Sequence, residues 1–193
     1  KNIRSGTRDY ANALNNLVAY YVMTDNFKKA DALSKQALKE GKKAYGQQTA
    51  DYAAMLANNS ARLAQMRAYP AALQYAEEAD KAFRENNLTE NLPFAKFLVN
   101  YAALCIHMER YPKGIALYEE ALPRLRQIVG EDHPDYVRCL SELSTAHNGA
   151  GNTEKAEEYA QALTGRLENG NKTSPKYAYA LSRQADVIAA TGN

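Results

Sequence analysis

An aromatic residue recurs along this chain at a nearly constant interval. The aromatic positions are Tyr10, Tyr52, Phe94, Tyr136 and Tyr177, so the successive spacings are 42, 42, 42 and 41 residues. A fixed period of about 20–50 residues is typical of stacked-repeat proteins, because one repeat cannot bury its apolar face without its neighbours. The period therefore predicts an array of similar repeats.

Each period contains two amphipathic segments separated by a short polar turn. In the first period the apolar positions of the two segments are Leu14, Leu17, Val18 and Tyr21, then Phe27, Ala30, Ala37 and Leu38. These spacings place each set on one face of an α-helix. The turn between them, Thr24–Asn26, is rich in helix-capping residues, so we expect the two helices to form an antiparallel hairpin. Pro70 and Pro112 mark the starts of the second helices in the next two periods, since proline is tolerated in a first helical turn.

The same pattern over the whole chain predicts an all-α fold with about nine helices and no second domain. The predicted helices are 9–23, 27–44, 51–66, 69–86, 94–108, 112–129, 135–149, 153–168 and 176–190. We define repeats one to four as residues 9–50, 51–92, 93–134 and 135–175, with a partial fifth repeat at 176–193. The sequence begins KNIRSGTRDY, and we expect it to be a piece of a longer protein. The sequence does not determine the cellular compartment of the protein, and we favour the cytoplasm.

Composition and motifs argue against several classes of function. The formal net charge is only +2, with no apolar run of membrane-spanning length, so we expect neither nucleic acid nor a membrane as partner. The six lysines between Lys28 and Lys43 are interpreted as a solvated outer face, because no aromatic side chains are interleaved for stacking on bases. Cys105 and Cys139 form no CxxC pair, and no nucleophile or phosphate-loop motif is present. We therefore predict no enzyme activity, no metal and no cofactor.

The repeat resembles a known family in its residues. Leu14-Asn15-Asn16-Leu17-Val18 followed by Tyr21, and the junction Gly130-Glu131-Asp132-His133-Pro134-Asp135-Tyr136, are similar to the 42-residue tetratricopeptide repeat of kinesin light chains. The resemblance covers the whole chain and implies a right-handed α-solenoid of helix hairpins. Some positions depart from it. Tyr21 is replaced by Leu63, Cys105, His147 and Ile188 in the later repeats, and Leu17 is replaced by Asn59 in repeat two.

The resemblance implies a peptide-binding groove lined by the first helix of each repeat. The candidate groove residues are Asn12, Asn15, Asn16, Asn58, Lys96, Asn100, Arg138, Ser141 and Arg183. Asn16, Asn58 and Asn100 form a column with one carboxamide per repeat, which can pair with the backbone of a peptide of any sequence. The alternative is that each asparagine ties its helix to a neighbouring helix, and the sequence leaves both interpretations open.

Three further features of the predicted inner wall bear on the ligand. Lys96, Arg138 and Arg183 would make the far end basic and suit an acidic peptide, although a solvated basic residue on any helix is the commoner explanation. Relatives that bind chaperone tails hold a terminal carboxylate with a lysine and asparagines. The corresponding positions here carry Ala19, Ala61, Val99 and Ala103, so we do not expect that activity. The small, apolar side chains of repeat two leave room for a bulky side chain or a partner helix. His147 falls on a packed register and is interpreted as a core residue.

The sequence thus favours a non-catalytic protein- or peptide-binding scaffold. The alternative is the sensor or recruitment region of a longer regulatory protein, since similar bacterial repeats are often joined to a caspase-like peptidase, a helix-turn-helix or a kinase. A third possibility is self-association through the open ends of the repeat array.

Overall fold

The computed structural model describes residues 4–168, apart from the side chains of 166–168, together with the single positions Ser182 and Ala189. The secondary structure of residues 4–168 consists of eight helices: α1 (Arg8–Met23), α2 (Phe27–Tyr45), α3 (Ala50–Gln65), α4 (Tyr69–Glu85), α5 (Leu92–His107), α6 (Tyr111–Val129), α7 (Pro134–Gly149) and α8 (Thr153–Glu168). Each begins and ends within two residues of its predicted bounds, which confirms the all-α prediction. Apart from Ser182 and Ala189, the predicted ninth helix lies outside the described residues.

The first helix of every described repeat begins at a side-chain cap in the same register. The capping residues are Thr7, Thr49, Asn91 and His133, and the backbone N–H groups that they accept belong to Tyr10 (3.3 Å), Tyr52 (3.3 Å), Phe94 (2.9 Å) and Asp135 (3.2 Å). The first N–H groups of a helix have no partner within the helix, so such caps fix where it starts. The recurring aromatic residue follows three positions after each cap.

The turn inside each hairpin also repeats with the 42-residue period. The residues in the left-handed conformation are Asp25, Arg67, Glu109 and Gly151, with φ values of 54°, 57°, 58° and 78°. The next backbone N–H donates to the carbonyl five residues back, over 2.8 Å from Asn26 to Tyr21 and 2.8 Å from Asn152 to His147. This bond pattern terminates a helix and reverses the chain. Four such turns produce the predicted antiparallel hairpins.

The described structure divides into two compact units, Lys1–Phe97 and Leu98–Asn193. In the N-terminal unit α1 packs on α2, α2 on α3 and α3 on α4. Three phenylalanine rings from α4 and α5 also pack together in this unit. The ring of Phe83 lies 5.3 Å from that of Phe94 and stacks on that of Phe97 at 5.4 Å. The Ser60 hydroxyl donates to the Ala72 carbonyl at 2.8 Å and joins α3 to α4.

Asn59, which replaces the apolar residue of repeat one, lies buried in the N-terminal unit. The Ser34 hydroxyl of α2 donates to its Oδ1 atom. Its Nδ2 atom has no hydrogen-bond partner among the described residues. Of the two polar atoms of this buried carboxamide, only the oxygen is therefore hydrogen-bonded, to a serine on the preceding helix.

In the C-terminal unit α6 packs on α7 and α7 on α8. The Ser144 hydroxyl donates to the Ala156 carbonyl at 2.8 Å, which repeats the contact made by Ser60 in the other unit. At Gly114 a Cβ atom would lie 3.1 Å from the Ala102 carbonyl and 2.5 Å from the Ile106 side chain. Glycine at this position thus permits the close approach of α5 and α6.

One face of α1 is apolar and open to solvent. Leu17 is 41% exposed, whereas Asn59, Tyr101 and Leu143, at the same register in α3, α5 and α7, are buried. Tyr20 on the same helix is also exposed. In residues 4–168 no helix is both long and apolar enough to cross a membrane.

Candidate functional site

The predicted asparagine column is exposed to solvent. Asn16 on α1, Asn58 on α3 and Asn100 on α5 are all exposed. None of the three side chains makes a hydrogen bond to another residue in the described part of the chain. Their donors and acceptors can therefore bond to water or to a ligand.

Asn12 and Asn15, the other two asparagines of α1, do bond to neighbouring helices. The hydroxyl of Tyr45 on α2 donates to Asn12 Oδ1 at 2.6 Å, and the guanidinium of Arg62 on α3 donates to Asn15 Oδ1 at 2.5 Å. Burial lowers the pKa of Arg62, so the bond that its guanidinium donates to Asn15 partly replaces lost hydration. For these two residues the geometry matches the helix-tying interpretation.

A small cavity lies between α1 and α3, beside the column. It has a volume of about 270 Å³ and is lined by Ala19, Val22, Met23, Asn58, Ala61, Arg62 and Gln65. The two alanines create the space, and Asn58 and Arg62 supply hydrogen-bond donors at its edge. Pockets for small-molecule ligands have volumes of about 300 Å³ or more, so this cavity is large enough only for a single side chain. It lies where the small residues of repeat two predicted room for a bulky group.

The remaining candidate residues differ in accessibility. Lys96 on α5 is exposed, and Arg138 on α7 is exposed with its guanidinium 3.9 Å from the Asp135 carboxylate. Ser141 on α7 is only 1% exposed, and its hydroxyl has no hydrogen-bond partner among the described residues. Ser141 is therefore not part of the exposed surface of α7. Arg183 lies outside the described residues.

The two thiols are buried in the C-terminal unit. Cys105 and Cys139 are free cysteines, and burial raises the pKa of Cys139 to about 12. A thiol with so high a pKa is protonated at neutral pH and is a poor nucleophile. Within residues 4–168 no group of three or more potential ligands could hold a metal ion.

Comparison with known proteins gives the same repeat. Two sequence models of the tetratricopeptide repeat match residues 11–51 and 94–169. No curated protein matches the sequence.

Several solved structures share the fold at low sequence identity. One of them is a variant of the nearly identical TPR-like repeats from Podosopora anserina, in a protein described as a kinesin light chain. It aligns with a TM-score of 0.90 and 14% identity. That match covers 99% of this chain and 90% of the other. BtubC (BKLC) from P. vanneervenii aligns with a TM-score of 0.82 and 18% identity, over 93% of this chain and 72% of the other.

Repeats of this kind generally serve as scaffolds for protein–protein interaction. The matched sequence models span more than half of the residues, and the repeated caps and turns have the same period. The chain belongs to the tetratricopeptide repeat family, with the fold seen in kinesin light chain-like repeats.

Proposed function

We propose that this protein is a non-catalytic scaffold that binds an extended peptide along the first helices of its repeats. The proposed contacts are the carboxamides of Asn16, Asn58 and Asn100. The observation that carries the proposal is the position of Asn58, which is exposed, has no described partner and borders the cavity between α1 and α3.

The chemistry of the two features is complementary. A carboxamide offers a donor and an acceptor side by side, and can pair with a peptide N–H and C=O irrespective of the ligand side chains. The neighbouring cavity adds a preference, because Ala19 and Ala61 leave room for one bulky apolar side chain. The column would then supply affinity that does not depend on the ligand's sequence. The cavity would select the residue that anchors the ligand.

Charge gives a further preference for acidic residues in the ligand. Lys96 and Arg138 are exposed on α5 and α7, and Arg62 borders the cavity in the N-terminal unit. Exposed ion pairs are worth at most about 1 kcal/mol each. The basic residues would therefore bias ligand choice and speed association more than they hold the ligand.

Selection from a random peptide library, followed by titration of a selected peptide, tests the proposal. The variant Asn16→Ala/Asn58→Ala/Asn100→Ala should fold normally and bind at least about tenfold more weakly, since each lost neutral hydrogen bond is worth about 0.5–1.5 kcal/mol. The matched control is Gln74→Ala/Gln127→Ala, which removes exposed carboxamides from second helices α4 and α6. Equal loss in both variants, or no loss in the triple variant, would contradict the proposed contacts.

The cavity has its own test. Ala61→Leu fills the space between α1 and α3 and keeps all three asparagines of the column, so it should weaken only peptides with a bulky anchor residue. Peptides in which that anchor is alanine should bind the two proteins equally. If Ala61→Leu leaves every selected peptide unaffected, the cavity has no part in recognition.

Recruitment within a longer regulatory protein stays a second proposal. The complete reading frame tests it, because it requires a catalytic or DNA-binding domain on the same polypeptide.

A further inference from the structure

His147 occupies a register at which the preceding repeats carry apolar residues. Leu63 and Cys105 are buried at the equivalent positions, and His147 is itself only 2% exposed. Neither ring nitrogen has a hydrogen-bond partner among the described residues. Native proteins pair the large majority of such groups, so an unpaired imidazole needs an explanation.

The ring borders a cavity of about 560 Å³ in the C-terminal unit, between α6 and the α7–α8 turn. Tyr111, Pro112 and Ile115 form an apolar wall, and polar lining comes from Glu119, His147, Asn152 and Lys155. The imidazole stacks on Tyr159, with ring centroids 5.5 Å apart and planes inclined by 13°. The volume lies in the range of ligand-binding pockets, about 300–1,000 Å³.

The charges that line this cavity compensate each other. Glu119 Oε1 lies 3.7 Å from His147 Nε2 and 3.9 Å from Lys155 Nζ. Burial, helped by Lys155, lowers the pKa of His147, so the imidazole is neutral at pH 7. A neutral imidazole presents one N–H donor and one acceptor nitrogen. The cavity therefore offers donors and acceptors without a net charge.

We propose that this cavity binds the carboxamide side chain of glutamine in a peptide. A carboxamide carries a donor and an acceptor and no charge. Its NH₂ group can donate to Glu119, its oxygen can accept from Lys155 or from the imidazole N–H, and its methylenes can pack on Ile115. The site is separate from the first-helix groove and does not depend on it.

Other ligand groups match this lining less well. A carboxylate meets the like charge of Glu119, and an ammonium meets that of Lys155. An apolar side chain fills the volume but leaves both nitrogens of His147 unpaired, which costs affinity because buried polar groups must replace their lost hydration. A carboxamide is uncharged and can both donate and accept hydrogen bonds, so it avoids each of these three costs.

Nuclear magnetic resonance of protein labelled with ¹⁵N at histidine tests the proposal with an internal control, because the chain has three histidines. The probe is N-acetyl-glutamine-N-methylamide. The imidazole signals of His147 should shift saturably with a dissociation constant of about 1 mM, a typical value for a ligand of this size. The signals of His107 and His133 should stay in place.

Two analogues and two variants complete the design. The glutamate and leucine analogues of the probe should bind at least about tenfold more weakly, because each loses a hydrogen bond or adds a charge conflict. In uniformly labelled His147→Leu protein, the probe should no longer shift the amide signals of Gly149 and Asn152. Glu119→Ala changes a half-exposed side chain, so it should keep the fold while weakening the probe by a similar factor.

The proposal would be overturned by the absence of a saturable shift at His147, by equal binding of the leucine analogue, or by undiminished binding of glutamine by folded Glu119→Ala protein. Equal binding of the glutamate analogue would assign the cavity to carboxylates instead, and would overturn it as well.

Discussion

Replacing His147 by leucine should make the protein more stable. The imidazole is buried with both nitrogens unpaired, and leucine fills the same register in repeat two, at Leu63. An unsatisfied buried polar group costs about 1–3 kcal/mol. The substitution also removes the stacking of His147 on Tyr159, which is worth about 0.5–1.5 kcal/mol. We expect a net gain of about 1 kcal/mol in the free energy of unfolding, from the difference between these two ranges.

The gain should grow as the pH falls. The pKa of His147 is lowered in the folded protein from the ordinary value of 6.5, so below that pH the unfolded chain binds the proton more readily. The stability that the neutral imidazole confers is complete above the unfolded pKa and is lost as the pH falls through the folded pKa. Leucine cannot titrate. The nearby charges of Glu119, Lys155 and Glu158 are present in both proteins and largely cancel in the difference.

Urea titrations of the wild type and His147→Leu at about pH 8 and about pH 5 measure both effects. The variant should be more stable at the higher pH, and its advantage should widen at the lower one. His107→Gln, at an exposed position on α5, is the control and should change stability by less than about 0.5 kcal/mol. A variant less stable than the wild type at about pH 8, or an advantage that shrinks on acidification, would refute the reasoning.

Further predictions concern packing, turns and assembly. Ser34→Ala leaves buried Asn59 without its partner and should cost about 1–3 kcal/mol in the free energy of unfolding. Adding Asn59→Leu should restore most of this stability, and urea titration of both variants measures the two effects. Arg67→Gly should gain about 0.5–1 kcal/mol, because Arg67 is left-handed at the position where repeat four has Gly151; no gain in thermal unfolding would contradict this. If the exposed face of α1 mediates self-association, sedimentation of the wild type should depend on concentration and Leu17→Glu should abolish that dependence; a monomeric wild type would exclude it.

The helices were predictable from sequence because their signals are local. Apolar spacing defined each helix face, and the turn residues defined the ends within two positions. The cap at His133 was harder to predict, since histidine is not a typical capping residue. Its position 42 residues after Asn91 identifies it, because the register of the array determines which residue must take that role.

Site residues were less predictable because their partners lie on other helices. Asn12, Asn15 and Asn16 are equivalent by composition, yet the first two bond to Tyr45 and Arg62 and the third is exposed. Register alone could not distinguish them, since it says nothing of which long side chain reaches across from α2 or α3.

His147 shows the same limit from the opposite direction. Its register correctly predicted burial, and burial suggested an ordinary core residue. Only the structure shows that Glu119 Oε1 lies 3.7 Å from its Nε2 atom, too far for a hydrogen bond, and that a cavity adjoins the ring. Hydrogen-bond satisfaction depends on distances of a few tenths of an ångström, which a sequence pattern does not specify.

The central claim is that the exposed asparagine column binds a peptide backbone. Its most direct test is isothermal titration of one library-selected peptide into the wild type, Asn16→Ala/Asn58→Ala/Asn100→Ala and Gln74→Ala/Gln127→Ala. We predict that the triple variant loses at least about tenfold in affinity, equivalent to about 1.4 kcal/mol, while the glutamine control binds as the wild type does. Equal affinity in all three proteins would contradict the account and remove the column from the binding surface.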